Sequence, residues 1–156
     1  MNVTEHFRLE EFWATSATAA RLGIDNAPPP EALTNLLRLA TELEKVRAIL
    51  ELPIEVLSGY RCSALNAAVG GVPTSYHQLG CAVDFHPPGG TSFADMKTMI
   101  AAMPEIAFDE LLEEHAGDGG HWLHLQIAKP EETPRRRVLT AELDHMGGAI
   151  SRVTVG

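Results

Sequence analysis

Two of the seven histidines in this chain of 156 residues stand among residue types that suggest chemistry. In Ser75-Tyr76-His77-Gln78-Leu79-Gly80-Cys81-Ala82-Val83-Asp84 an imidazole and a carboxylate lie seven positions apart, with a glycine between them. On a continuous helix that spacing would put both on one face. Gly80 and the β-biased Ala82-Val83-Asp84 predict instead a turn feeding a strand, with His77 just before it. Asp84 lies between Val83 and Phe85, at a strand position that otherwise reads as core. A carboxylate there is costly unless it is paired or bound to a cation. The second imidazole comes from His121-Trp122-Leu123-His124-Leu125. On a strand, Leu123, Leu125 and Ile127 share an apolar face that must be core, which sends Trp122, His124 and Gln126 into whatever cleft lies opposite.

His77, Asp84 and His124 thus form a set of two imidazoles and one carboxylate. Three protein ligands with one position left for water is the pattern of a catalytic zinc, whereas a structural zinc is closed by four ligands and prefers cysteine. Cys62 and Cys81 are not in paired spacing, and no His-Glu-x-x-His helix is present. The plainer alternative for His77 and Asp84 is a buried hydrogen-bonded pair without metal. A zinc hydrolase also needs a general base beside its water. The segment Phe108-Asp109-Glu110-Leu111-Leu112-Glu113-Glu114 directly precedes the hairpin that carries His124. Periodicity puts Glu114 with Leu112 and Glu110, and Glu113 with Leu111 and Asp109, without choosing between the two glutamates.

The elements that must position these groups follow from pattern. Pro30 opens a helix in which Leu33, Leu36, Leu37, Ala40, Leu43, Val46, Arg47 and Leu50 repeat at helical spacing and face the core. Short helical pieces at 7–12 and 18–23 pack on it. Strands are expected at 53–59, 81–85, 108–115 and 121–127, with short helices at 63–71 and 93–103. Residues 116–120 are a glycine-bearing hairpin connection, and Arg137 to Thr140 adds an edge strand. Helices come first and antiparallel hairpins follow, so the class is α+β, a single domain over 1–156 with 1–52 mainly helical and 53–140 holding sheet and site. Arg135-Arg136-Arg137 reads as a solvated loop, or as a contact with an anionic cell wall. His121 falls on the face opposite His124 and is at most a rim residue steadying an oxyanion. His6, His86, His115 and His145 read as surface residues.

Twelve Lys plus Arg against twenty-one Asp plus Glu leave a net charge of −9, which excludes a general nucleic-acid binder needing a basic face. Apolar residues at 45% and charged ones at 21% are globular values. No window approaches the length of a membrane span, and the start lacks a basic segment followed by an apolar core. The expectation is synthesis in the cytoplasm without a signal peptide, no membrane insertion, and a monomer.

The pattern Ser-x-His-x-x-Gly-x-Ala-x-Asp resembles the signature of zinc D-Ala-D-Ala carboxypeptidases and related phage endolysins, which share a hedgehog/DD-peptidase fold. Ser58-Gly59-Tyr60-Arg61 with 65–71, and Phe108-Asp109-Glu110-Leu111-Leu112 followed by Trp122-Leu123-His124-Leu125, are similar to its lead-in and last block. Segments 7–12 and 20–26 resemble the opening of its short members. The resemblance implies N-terminal helices packed on a small, mainly antiparallel sheet bearing a cleft with one zinc ion. It implies His77, Asp84 and His124 as ligands and Glu114 as base. Arg61 becomes a substrate-contacting arginine, whose fork suits a peptide carboxylate, with Ser75 a hydroxyl near the site. Trp122, on the face of His124, is packing or a substrate-groove wall. Members often carry a glutamate shortly before the last histidine; His121-Trp122-Leu123-His124 lacks it, so the base must come from the neighbouring strand. The implied substrate is a peptidoglycan stem peptide, cut at the terminal D-Ala-D-Ala bond or at a cross-link. An enzyme without a signal peptide would reach the wall through a holin or within a virion. The rival is a module that keeps fold and zinc but only grips cell-wall peptide or a protein.

Overall fold

A computed structural model describes residues 1–87, 89–144 and 150–156. After a 3-10 turn at Leu9–Phe12 come helices α1 (Ala17–Leu22) and α2 (Pro30–Leu50), then strand β1 (Glu55–Ser58) and helix α3 (Ser63–Ala68). A second 3-10 turn, Tyr76–Leu79, leads into β2 (Ala82–His86), followed by α4 (Phe93–Ala101), β3 (Glu110–Ala116), β4 (His121–Gln126), β5 (Arg137–Leu143) and β6 (Ile150–Val155). The six strands form one mixed sheet in the order β1-β2-β4-β3-β5-β6, antiparallel except for the parallel pair β3 and β5. The chain is therefore α+β, and its sheet continues past the expected end at residue 140 to Val155.

Strand alternation divides the sheet into two faces. Val83 and Phe85 of β2, Leu111 of β3, and Leu123 and Leu125 of β4 pack with Leu36, Leu39, Leu43 and Val46 of α2 and with Met96 and Ile100 of α4. The opposite face carries Asp84, Leu112, Glu114, Trp122 and His124, so the polar residues of the sequence pattern share a side of the sheet.

Helix α2 starts with Pro30 in its first turn and buries Ala32, Asn35, Leu36, Leu39, Ala40, Leu43, Val46 and Leu50. The expected face is thus rotated: Leu37 is 46% exposed, and Leu39 is in the core instead. The rotation follows from what the helix must hold. Asn35 donates to the Leu79 carbonyl at 2.9 Å, and Gly80 lies so close that a Cβ there would sit 2.5 Å from the Ala32 oxygen. Gly80 also has φ +73, which costs glycine nothing. The turn that ends in β2 is therefore clamped to the first half of α2.

Two further expectations are corrected. Arg137 begins an inner strand, because β6 pairs on the far side of β5. The arginine run is only in part a solvated loop: Arg135 and Arg136 precede β5, and the Arg135 and Arg137 side chains are 48% exposed, but all three already have partners within the chain. Arg135 grips the buried Asp109 through Nε (3.0 Å) and Nη2 (2.6 Å), and Arg137 pairs with Glu110 at 2.9 Å. Arg136 donates to the carbonyls of Ala101, the last residue of α4, and of Met103 and Ile106 beyond it, and lies over the Phe108 ring. The expected surface position of His145 lies outside the described residues.

The hydrogen bonds from Arg135 hold the Asp109 carboxyl down to about 2, against the opposing effect of its burial. A carboxyl depressed in the folded state stabilises above the ordinary carboxylate range and loses that contribution as pH falls through 4 toward 2. Asp109→Asn is expected to cost about 1.5–3 kcal/mol at neutral pH, a fall in melting temperature of roughly 3–12 °C. Its stability should also decline less steeply than the wild type's between pH 4 and 2. Equal slopes in acid denaturation would rule out this pair as a source of acid lability.

Candidate metal centre and active site

Strand pairing puts Asp84 of β2 directly opposite His124 of β4, with their carboxylate Oδ1 and imidazole Nδ1 2.8 Å apart. His77, on the 3-10 turn before β2, brings its Nε2 to 3.3 Å from the other carboxylate oxygen. The two imidazole rings meet edge to face with centroids 5.2 Å apart. One ligand atom from each of His77, Asp84 and His124 lies within 4.8 Å of the others. The sequence spacing thus does bring the three together, and His77 and Asp84 are almost wholly buried.

Each donor is aimed by a second contact. His77 Nδ1 is 2.7 Å from the Gly59 carbonyl oxygen, which makes that nitrogen the proton-bearing donor and leaves Nε2 with a lone pair toward Asp84. Gly59 has to be glycine for a different reason. A Cβ there would sit 2.3 Å from the Phe12 carbonyl oxygen, where the chain also accepts a 2.6 Å bond from Tyr60 N–H. The buried Asn26 side chain ties this segment in place. It donates to the carbonyls of Trp13 (2.9 Å) and Tyr60 (3.0 Å) and accepts from Cys62 N–H (2.8 Å). Sequence pattern missed Asn26 and the role of Gly59, since their work is long-range and neither belongs to a periodic element.

Glu114 and Glu113, which strand periodicity alone does not tell apart, separate cleanly. Glu114 lies on the His124 face, with Oε1 3.7 Å from His124 Nδ1, and accepts the Trp122 indole N–H at Oε2 over 2.8 Å. Glu113 lies on the other face, where Lys97 and His121 approach it. Trp122 is 1% exposed and packs with Ala116 and Leu143, so it is a buried support for Glu114 and no groove wall. His121 likewise points away from the site, because β4 alternates regularly through it; it is no oxyanion donor. Arg61 does reach the site. Its backbone N–H donates to the His77 carbonyl at 3.1 Å, and Nη2 lies 3.5 Å from Ser75 Oγ. Its buried Nε finds no partner among the described residues. Ser75 itself accepts from His77 N–H at 3.3 Å and so shapes the turn.

Among the protein groups alone, charge is unevenly shared. Burial disfavours an ionised Asp84, yet the two imidazoles outweigh it and hold the carboxyl well below the usual range. Burial pushes Glu114 up to about 7, with Asp84 adding to the rise while His124 and Trp122 resist it. Burial, with help from Arg61, takes His77 down to about 4. His124 goes the other way: burial opposes its charge, but Glu114 and Asp84 carry it up to about 9. A carboxylate locked in its charged form beside a neutral, oriented imidazole is a donor set that suits a divalent cation. A cavity of about 360 Å³ opens on the trio, Glu114, Arg61 and Ser75, and one of about 480 Å³ adjoins it past Arg61 and Asp84.

The chain matches the family model described as Peptidase M15 over residues 5–117, which is more than half its length. It belongs to the peptidase M15 family. The family to which the signature pointed is thereby borne out, and a metallopeptidase is what this membership supports. The match spans His77, Asp84 and Glu114 but ends before β4, so His124 joins the set through strand pairing. No curated protein matches the chain. Among the described residues, no helix is long and apolar enough to cross a membrane.

Gly59→Ala tests the orienting contact. The new methyl must displace either Phe12 or the 59 carbonyl. The expected result is loss of the slowly exchanging His77 Nδ1–H signal in NMR, together with a lower melting temperature. Retention of that signal would show that the Gly59 carbonyl does not orient the ring.

Proposed function

We propose that this M15 family member is a zinc-dependent peptidase that hydrolyses amide bonds of peptidoglycan stem peptides. The observation that carries this reading is the convergence of His77, Asp84 and His124 on one cavity with a desolvated carboxylate, Glu114, beside them. The donor set fits zinc, since two imidazoles and one carboxylate with no cysteine leave a fourth position for water. Held by these three, a zinc ion would acidify that water and polarise the scissile carbonyl.

The remaining chemistry falls to the chain's own groups. Glu114 Oε1 is the base that takes a proton from the attacking water and later delivers it to the leaving amine. Its raised pKa suits both halves of that exchange, because a strongly acidic carboxyl would be a poor proton acceptor and a poor later donor. The Trp122 indole N–H engages Oε2 and so leaves Oε1 as the working oxygen. Arg61, held by Ser75 with Nε unpartnered, offers a donor to the substrate's carbonyl or terminal carboxylate. The bond cut is the terminal D-Ala-D-Ala bond or a cross-link, and release through a holin or carriage in a virion would deliver such an enzyme to the wall.

Incubation with a defined cross-linked stem peptide should release new amines, read by mass spectrometry. Activity should vanish with a chelator and return with zinc. Glu114→Gln should keep stoichiometric zinc and lose roughly two to four decades of rate, whereas Asp84→Asn should lose the zinc itself. Peptide binding without cleavage by the zinc-loaded protein would favour a non-catalytic binding module instead, and full activity of Glu114→Gln would remove Glu114 from the role of base.

A further inference from the structure

The face of the β3–β4 hairpin turned away from Glu114 gathers a second set of ligand-type side chains near its turn. Cross-strand pairing sets His115 directly opposite His121, with the rings stacked at 4.1 Å between centroids and 21° between planes. Glu113, two residues before His115, rises from the same face. Its Oε1 lies 3.2 Å from His121 Nε2 and 3.7 Å from His115 Nε2. A ligand atom from each of the three lies within 4.8 Å of the others.

The surroundings hold this set in place. Lys97 Nζ stands 3.4 Å from the other Glu113 oxygen, and is itself tied to Thr140 Oγ1 and the Gly156 carbonyl at 2.8 Å each. Glu113 is thus gripped from behind and presents Oε1. Phe93, at the start of α4, lies 3.9 Å from the His121 ring and fixes its tilt. The imidazole side chains of His115 and His121 are 45% and 33% exposed, so solvent ions reach them.

We propose that Glu113, His115 and His121 form a second metal site, distinct from the His77–Asp84–His124 centre, for a late first-row divalent cation such as Zn²⁺, Ni²⁺ or Cu²⁺. Metal–nitrogen and metal–oxygen bonds of about 2.0–2.2 Å place adjacent ligand atoms roughly 3–3.5 Å apart. The observed 3.2 and 3.7 Å from Glu113 to the two imidazoles are close to this, and the stacked rings, 21° apart in plane, must swing out of the stack for both Nε2 lone pairs to meet one ion. Imidazole with one carboxylate selects these borderline cations over Mg²⁺ and Ca²⁺, which favour oxygen ligands. Occupancy cross-links β3 and β4 near their turn, on the face opposite Glu114.

The test is zinc stoichiometry of the full chain, measured by equilibrium dialysis with elemental analysis. Wild type should take two equivalents, and His115→Gln combined with His121→Gln should take one. Asp84→Asn should also take one, and its remaining zinc should shift the His115 and His121 NMR signals on titration. If the double variant unfolds, His115→Gln at the more exposed position carries the same expectation of a lost or weakened second equivalent. A single equivalent in the wild type, or a second equivalent that binds the folded double or single variant with wild-type affinity, overturns the proposal. The peptidase reading fails separately, if Asp84→Asn still takes the equivalent assigned to the His77–Asp84–His124 centre.

Discussion

A carboxylate in the middle of a core strand dictates much of this molecule. Asp84 lies between Val83 and Phe85, both fully buried, and is itself 3% exposed. Such a group must be surrounded by counter-charge and donors, or the strand that carries it would not be stable in place. Its two oxygens face one imidazole each, from an element before β2 and from the next strand over. A one-residue slip between β2 and β4 would put Leu123 or Leu125 against Asp84 and turn both polar groups into the wrong layer. Register here is therefore enforced from both faces, by apolar packing on one side and by charge pairing on the other.

The demands of that carboxylate propagate outward through close approaches that only small residues permit. His77 can serve Asp84 because its turn is clamped by Gly80 against Ala32, and because its far nitrogen is engaged by the carbonyl of Gly59. Gly59 in turn is pressed on Phe12, whose segment is tied by Asn26 to the loop that presents Arg61. The N-terminal third of the chain thus contributes no ligand, yet its backbone sets the position of two site residues. Charge is distributed in the same economical way on the β3–β4 hairpin, where neighbouring glutamates meet opposite fates: Glu113 faces Lys97 and two imidazoles, and Glu114 faces a desolvated cavity.

The site was legible in the sequence where local spacing and strand alternation suffice. His77 and Asp84 are joined by a short turn, and the apolar run Leu123, Leu125, Ile127 leaves His124 one face to occupy. The choice between Glu113 and Glu114 was not legible, since both lie on a strand that is polar on its two faces and only pairing with β4 assigns them. Helix α2 was read as a helix but rotated, because periodicity counts Leu37 and Leu39 alike, while the contacts of Ala32 and Asn35 with the 79–80 turn set the facing side. The ion pairs and hydrogen bonds of the half-exposed arginines at 135–137 were not legible for a similar reason. Their partners, Asp109, Glu110 and the carbonyls of Ala101, Met103 and Ile106, lie about 25–35 residues earlier in the chain, beyond the reach of any local pattern. The parallel pairing of β5 with β3 needs a return path that no hairpin signal announces.

The lack of a glutamate just before His124 has a structural consequence. A base on the ligand's own strand is placed by sequence spacing, and nothing but that strand's alternation can move it. The Glu114 carboxylate comes from β3, diagonal to His124 and directly opposite Trp122, so its place relative to His77, Asp84 and His124 is set by the β3–β4 register. That register depends on the turn at 116–120, where the Ala116 N–H bonds to Gly120 at 2.8 Å and Gly119 takes φ +91. One residue more or fewer in the turn would exchange the two faces of β3 and bring Glu113, with its lysine partner left behind, toward the cavity in place of Glu114. The Trp122 indole guards against that slip in a way a smaller side chain could not. It fills the space between Ala116 and Leu143 and spends its single N–H on Glu114, so correct packing and correct placement of the carboxylate are the same event.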